Sequence, residues 1–161
     1  MMDKTMTIKF GKYLAAIALL AINSVNAQIT DGPSLWQFSC NNAEKCILTQ
    51  QVIARRGNQS QVLAGATIAK NATNTILTIR VSAVANQQQG LGLKVDSHEA
   101  IRVPLQQCDR KVCESNIVLD SLLLQEMQSG DVLTVAFIDT NNKQVSLPLY
   151  LQGFKELLVK I

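Results

Sequence analysis

Val145, Leu147, Leu149 and Leu151 alternate with Ser146, Pro148 and Tyr150, and the same period of two recurs along most of the chain beyond residue 35. Neighbouring side chains of a strand point to opposite faces, so this spacing gives successive strands one apolar face and predicts a mainly β fold. Trp36, Phe38 and Cys40 share a face of the first strand. A second strand over 46–54 puts Leu48 and Val52 on one side and Ile47 and Ile53 on the other, and Arg56-Gly57-Asn58-Gln59 turns the chain. A third near 62–69 ends at the polar turn Asn71-Ala72-Thr73-Asn74, and a fourth points Leu77, Ile79, Val81 and Ala83 into the core.

The polar run 86–90 reads as a solvated loop, after which Leu91, Leu93 and Val95 alternate again. Ile101, Val103 and Leu105 form one further strand ending near Cys108, and Pro104 within it, unable to donate a ladder hydrogen bond, predicts an edge position. A helix is expected over 121–128, with Asp120 as N-cap, Leu122 to Leu124 packing inward and Gly130 left-handed just past its end. Leu133, Val135 and Phe137 pair with the alternating run at 145–151 as a hairpin whose turn, Asn141-Asn142, takes positive φ. Phe154, Leu157, Leu158 and Ile161 recur as one face of a terminal helix that caps the core. Eight or so short strands and two short helices, without an internal repeat, fit a β-sandwich.

The first 27 residues have a different character. Lys4, Lys9 and Lys12 precede an apolar run at 13–22, and Val25 and Ala27 supply small residues three and one before a cleavage point. This is the pattern of a secretory signal peptide, and the run is about half the ~20 residues that a membrane-spanning helix requires. Residues 1–27 are therefore expected to be removed, leaving 28–161 as one domain, periplasmic or secreted, with no transmembrane segment. The formal charge of +3 on 161 residues falls near neutrality when Asp3 and the three leader lysines are discounted. A nucleic-acid partner needs a basic field that displaces counterions, and a near-neutral domain disfavours that class.

Export decides how Cys40, Cys46, Cys108 and Cys113 are read, because thiols are oxidised outside the cytoplasm. Four cysteines allow three pairings. Cys40 with Cys46 and Cys108 with Cys113 is preferred, since each pair closes a turn between adjacent strand ends. A zinc site usually uses closer Cys-x2-Cys knuckles, and a thioredoxin-like site needs Cys-x-x-Cys at a helix N-terminus; neither spacing is present.

Catalytic motifs are sparse. The single histidine, His98, lies in the polar turn Asp96-Ser97-His98-Glu99, which lacks the alternating oxygen ligands of a calcium loop, and no Gly-x-Ser-x-Gly elbow accompanies it. No catalytic, metal or cofactor-binding residue is assigned, and no cofactor is expected. Gly90-Leu91-Gly92 introduces a strand rather than a helix N-terminus, so it is turn chemistry and not a phosphate loop. By strand parity Trp36, Phe38, Phe137 and Phe154 sit on apolar faces, leaving Tyr150 beside Ser146 and Pro148 on the opposite face; one ring makes no stacking platform. Asn58-Gln59-Ser60 and Asn71-Ala72-Thr73 match the glycosylation sequon, which has meaning only where the host machinery is present. Asp109-Arg110-Lys111, held between two cysteines, is the most charged loop beyond the leader.

Several fragments together resemble a known family. Trp36 stands four residues before Cys40, followed by Cys46, Leu48 and Gln50; Gly92-Leu93-Lys94-Val95-Asp96 is similar to a Gly-x-x-Val-Asp segment; Cys108 to Cys113-Glu114 is similar to a second cysteine pair; Ser129-Gly130 is similar to a helix-end glycine; and 145–154 is similar to a terminus ending in Gly-Phe. Their order resembles the invasion-associated locus B proteins. The chain departs from that pattern at Val84-Ala85-Asn86-Gln87, where Pro-Leu-Gly is usual, at Val112 in place of glycine, and at Tyr150 and Gln152 in place of Ser and Lys. The resemblance implies an immunoglobulin-like β-sandwich, with a short internal helix and a C-terminal capping helix, in bacterial envelope or secreted proteins. Some of these are associated with entry into host cells, without an established enzymatic activity.

Two classes of function follow. The first is an exported, non-enzymatic binding or accessory domain with a protein partner in the envelope or on a host cell, for which Asp109, Arg110, Lys111 and Tyr150 are the candidate contacts. The second is an inhibitor of an envelope enzyme, or a hydrolase whose site is assembled from loops.

Overall fold

The structure, a computed structural model, describes residues 35–41 and 45–161. The expected leader 1–27 lies outside the described residues. Ten strands are present among the described residues: β1 (Gln37–Cys40), β2 (Cys46–Arg56), β3 (Gln59–Lys70), β4 (Thr75–Ser82), β5 (Leu91–Val95), β6 (Ile101–Val103), β7 (Gln107–Cys108), β8 (Val112–Val118), β9 (Val132–Ile138) and β10 (Gln144–Tyr150). Two α-helices accompany them, α1 (Ser121–Ser129) and α2 (Phe154–Leu158), and Gln87–Gln89 makes one 3-10 turn. No helix among the described residues is long and apolar enough to cross a membrane.

The strands form two antiparallel sheets, one of six in the order β1-β2-β3-β4-β8-β7 and one of four in the order β10-β9-β5-β6. Burial follows the alternation read from the sequence. Leu48, Ile68, Leu77 and Ile79 from the larger sheet meet Leu91, Leu93, Leu133, Val135 and Leu149 from the smaller, all with essentially no solvent contact. At about 25 cal/mol per Å² of apolar surface removed from water, these inward faces supply the main drive to fold. The architecture is the expected sandwich with a short internal helix and a terminal helix.

Several local expectations are corrected. The run 101–108 is not one strand: β6 belongs to the four-stranded sheet and β7 to the six-stranded one, so the chain changes sheets through Pro104-Leu105-Gln106. Proline interrupts the ladder there, and Leu105 still enters the core. β4 stops at Ser82, leaving Ala83 half-buried in the following turn. Phe38 is 42% exposed although its pairing partner Leu48 is buried, because β1 is the edge strand of the wider sheet and the narrower sheet does not cover its far side. Leu122 is 65% exposed; α1 turns Leu123 and Met127 inward instead. Helix α2 is a single short turn and buries Phe154 and Leu158. The turn between β9 and β10 has positive φ at Asn142, +59°, while Asn141 keeps an ordinary φ.

Gly130 is not left-handed; its φ is −89°. A Cβ at this position would stand 2.5 Å from Val95 Cγ1, 2.7 Å from Asp96 Oδ2 and 2.9 Å from the Glu126 carbonyl oxygen. Glycine is required by close approach, not by backbone angle.

Candidate functional site

The residues that carry the sequence signature fall into two clusters, and both join parts of the sandwich. In the first, Trp36 Nε1 and Gln50 Nε2 donate to the same Tyr150 carbonyl oxygen, at 2.9 and 2.8 Å. Gln50 is 5% exposed and faces the core from β2, while Tyr150 ends β10, so the shared carbonyl ties the two sheets together. A buried amide needs such a partner, since leaving it unmatched costs about 1–3 kcal/mol. The Phe154 ring packs on Trp36 with centroids 5.2 Å apart at 48°, fastening α2 to the same point.

In the second cluster, Asp96 follows β5 with φ of +44°, a conformation that Asp tolerates better than most residues. Its two carboxylate oxygens accept from the backbone N–H groups of Asp131 and Val132, each at 2.9 Å. This fixes the start of β9 against the end of β5, with Gly130 in the gap. His98 Nδ1 stands 2.7 Å from Glu126 Oε1, linking the same turn to α1. Asp96 is thus committed to backbone groups rather than to a cation shared with His98 and Glu99. Among the described residues no three His, Cys, Asp or Glu side chains form a metal-binding group.

Each cysteine pair staples a hairpin. Cys40 is bonded to Cys46 across β1 and β2, and Cys108 to Cys113 across β7 and β8, each pair directly opposed in register with Cα atoms 3.9 and 4.0 Å apart. The second staple closes the Asp109-Arg110-Lys111 turn. Asp109 Oδ1 accepts from the N–H groups of Lys111 and Val112, at 2.6 and 2.8 Å, and these bonds hold its carboxyl below the usual value of 3.8. Asp109 therefore builds the turn, while Arg110 and Lys111 are the exposed charges it displays.

Tyr150 is 39% exposed beside Ser146 and Pro148 on the outer face of the smaller sheet. Its carbonyl is tied to the β1–β2 edge, whereas the charged turn sits at the β8–β7 edge of the larger sheet. The structure does not bring Tyr150 and residues 109–111 together. Lys111 instead lines a cleft of about 580 Å³ on the solvent face of the six-stranded sheet, with Thr49, Gly65, Thr67, Arg80 and Ser82. Sequence reading missed this cleft because these residues come from three different strands and a turn and form no local motif. The outward parity of Thr49, Thr67, Arg80 and Ser82 was the available signal.

Within that face Arg80 Nε donates to Glu114 Oε2 at 2.6 Å, and Asn116 Nδ2 donates to Oε1 at 3.0 Å. The Asn116 amide foremost, with Arg80 adding to it, holds the Glu114 carboxyl below its ordinary 4.5 against the opposing effect of burial. A depressed folded-state value means that the stabilisation is present above the ordinary value and is lost as pH falls through the folded one. Glu114→Gln should consequently lower Tm slightly at neutral pH, with the difference from wild type vanishing on acidification; Tm measured across pH 2–7 checks this. The effect is small because Arg80 is half exposed and screened.

With the geometry established, comparison with known proteins is direct. The family model described as "Invasion associated locus B (IalB) protein" matches residues 36–161. The crystal structure of invasion associated protein B from Bartonella henselae is similar in fold, with a TM-score of 0.71 and 20% sequence identity over 81% of this chain and 93% of that one. Among curated proteins none matches. The matched span begins at Trp36 and contains both bracing clusters and both disulfides, and on that match the chain belongs to the invasion-associated locus B family.

Proposed function

We propose that this chain is an exported, non-enzymatic binding or accessory protein of the cell envelope or its surroundings, contributing to contact with host cells. One observation supports the reading above others: Trp36, Gln50, Asp96, Gly130 and Phe154, which carry the family signature, are engaged in joining the sheets and helices. A signature of this kind preserves a rigid frame. Such a frame holds surface groups in place before a partner arrives, which reduces the ordering cost of association. The Cys108–Cys113 staple and the Asp109 bonds do this for Arg110 and Lys111. Two disulfides and the basic, apolar, small-residue leader support export, with processing after Ala27 and a soluble domain from Gln28.

Cross-linking pull-down from intact cells, combined with N-terminal sequencing of the recovered chain, tests this. The expected result is a chain beginning at Gln28 with a stoichiometric protein partner and no turnover. Retention of Met1 on envelope-associated protein would contradict export. Hydrolysis of a generic substrate panel, abolished by His98→Ala, would replace binding with catalysis.

A further inference from the structure

Strands β2 and β3 outrun the sheet they belong to. β3 pairs with β4 only from Ala64, opposite Val81, to Lys70, whereas its pairing with β2 continues to Arg56 and Gln59. Gln59 to Leu63 therefore lie beyond the last β3–β4 pair, with the side of their backbone away from β2 claimed by no described strand. The register slips between Val52 and Ile53, where Leu63 is the extra residue, and such a bulge bends the arm relative to the sheet.

The turn at the tip shows which groups face the open side. Gly57 has φ of +58° at the first of two central positions and Asn58 keeps an ordinary φ, the pattern of a type II′ hairpin turn. In a two-residue hairpin the flanking residues, here Arg56 and Gln59, exchange the first pair of backbone bonds, and hydrogen-bonded pairs then alternate with non-bonded ones. Ser60 and Val62, opposite Arg55 and Ile53, fall in non-bonded pairs, so their N–H and C=O groups point away from β2. Ile53 and Val62 are also about half exposed, giving this edge an apolar side chain on each strand. Unpaired strand edges are templates for another extended chain.

Two further observations describe what fits there. The 580 Å³ cleft is lined by Gln61, Val62 and Leu63 from the arm and by Arg80, Ser82 and Lys111 from the body, so an incoming strand has room beside the edge. Charge at this end of the sandwich is mainly positive: the topology gathers Arg55 near the end of β2, Arg110 and Lys111 between β7 and β8, and Lys143 between β9 and β10. The acids in those turns, Asp109 and Asp139, each accept two backbone N–H bonds from their own turn. A second copy of this chain would bring the same basic edge against itself, which like-charge repulsion opposes.

We propose that the Gln59–Leu63 edge of β3, flanked by Lys111, is a strand-addition site for an extended acidic polypeptide segment of a partner protein. Main-chain bonds to Ser60 and Val62 supply attachment, and carboxylates directed toward the basic turn select the partner. The site rests on the binding reading above and names the chemistry of what is bound.

Fluorescence anisotropy with the disulfide-intact mature chain tests it, using a labelled, capped seven-residue peptide of alternating Glu and Val. Saturable binding is expected, weakened about tenfold by Lys111→Glu, which corresponds to ~1.4 kcal/mol. Val62→Pro removes an N–H that β2 does not use and should abolish binding without lowering Tm. Should that variant fold poorly, the same peptide methylated on alternate backbone nitrogens makes the test on the unaltered chain, and its failure to bind supports strand addition. Equal binding by the methylated peptide, equal binding when Lys replaces Glu, or no saturable binding at millimolar peptide overturns the proposal. Concentration-dependent dimerisation in sedimentation, lost in Val62→Pro, would assign the edge to a second copy and also overturn it. Partner capture by intact cells without peptide binding removes this site and leaves the binding reading standing; peptide binding without capture supports the site and removes the cellular role.

Discussion

Phe154→Ala should destabilise the domain by about 3–5 kcal/mol, the range for truncating a fully buried aromatic. Phe154 has no solvent exposure, and its ring supports Trp36 from one side. Removing it leaves a cavity under an indole whose N–H holds the Tyr150 carbonyl, so the loss extends to the bridge that Gln50 shares. It also detaches α2, whose buried contribution is otherwise Leu158 alone. Equilibrium urea unfolding with both disulfides intact measures the change. Leu122→Ala, at an exposed position of α1, is the control and should stay within about 0.5 kcal/mol of wild type. A Phe154→Ala loss no larger than that control would mean that the aromatic pair does not brace the two sheets.

Gly130→Ala should cost about 3 kcal/mol, although alanine suits its backbone angles. Inserting a methyl group into a packed site typically costs about 1–3 kcal/mol. Here the methyl would meet Val95, Asp96 and the Glu126 carbonyl oxygen, all under 3.0 Å away. Asp96 has little freedom to withdraw, because moving its carboxylate breaks the bonds to the Asp131 and Val132 N–H groups, and bonds to a charged acceptor are each worth about 1.5–3 kcal/mol. Hydrogen exchange separates this mechanism from a general loss of packing: protection at Asp131 and Val132 should fall first. Unchanged stability in Gly130→Ala would show that the strand β5 end and the β9 start can separate freely.

The sandwich was legible because its core strands obey period two with few exceptions, and residues such as Leu77, Ile79, Leu91 and Leu93 needed no further information. The disulfides were legible from spacing, since four or five residues between cysteines suit opposed positions across a tight turn. Where the sequence misled, tertiary context had overridden local pattern. Ile101 to Leu105 keeps the parity of one strand, yet Pro104 breaks it between two sheets. Phe38 has core parity but lies under no opposing sheet. The glycine after α1 suggested a left-handed cap, whereas its requirement comes from Asp96, distant in sequence.

The candidate contacts were legible only in part. Arg110 and Lys111 stood out as charge held between cysteines, and the structure adds that Lys111 reaches the cleft on the outer sheet face. The projecting arm was not visible, because Gln59-Ser60-Gln61 is polar and carries no alternating apolar pattern; these residues are strand by pairing with β2 alone. Asp109, one of the residues singled out for a partner, is engaged in its own turn. Tyr150 contributes its carbonyl to the brace and lies at a different edge.

The signature residues brace the fold while the basic turn is the surface offered to a partner, and one measurement tests that division directly. Capture of the partner by Arg110→Ala/Lys111→Ala protein on intact cells should be compared with thermal unfolding of the same variant. Exposed charges contribute little to stability, so Tm should match wild type while capture falls at least about tenfold. Undiminished capture by the correctly folded double variant would contradict the account.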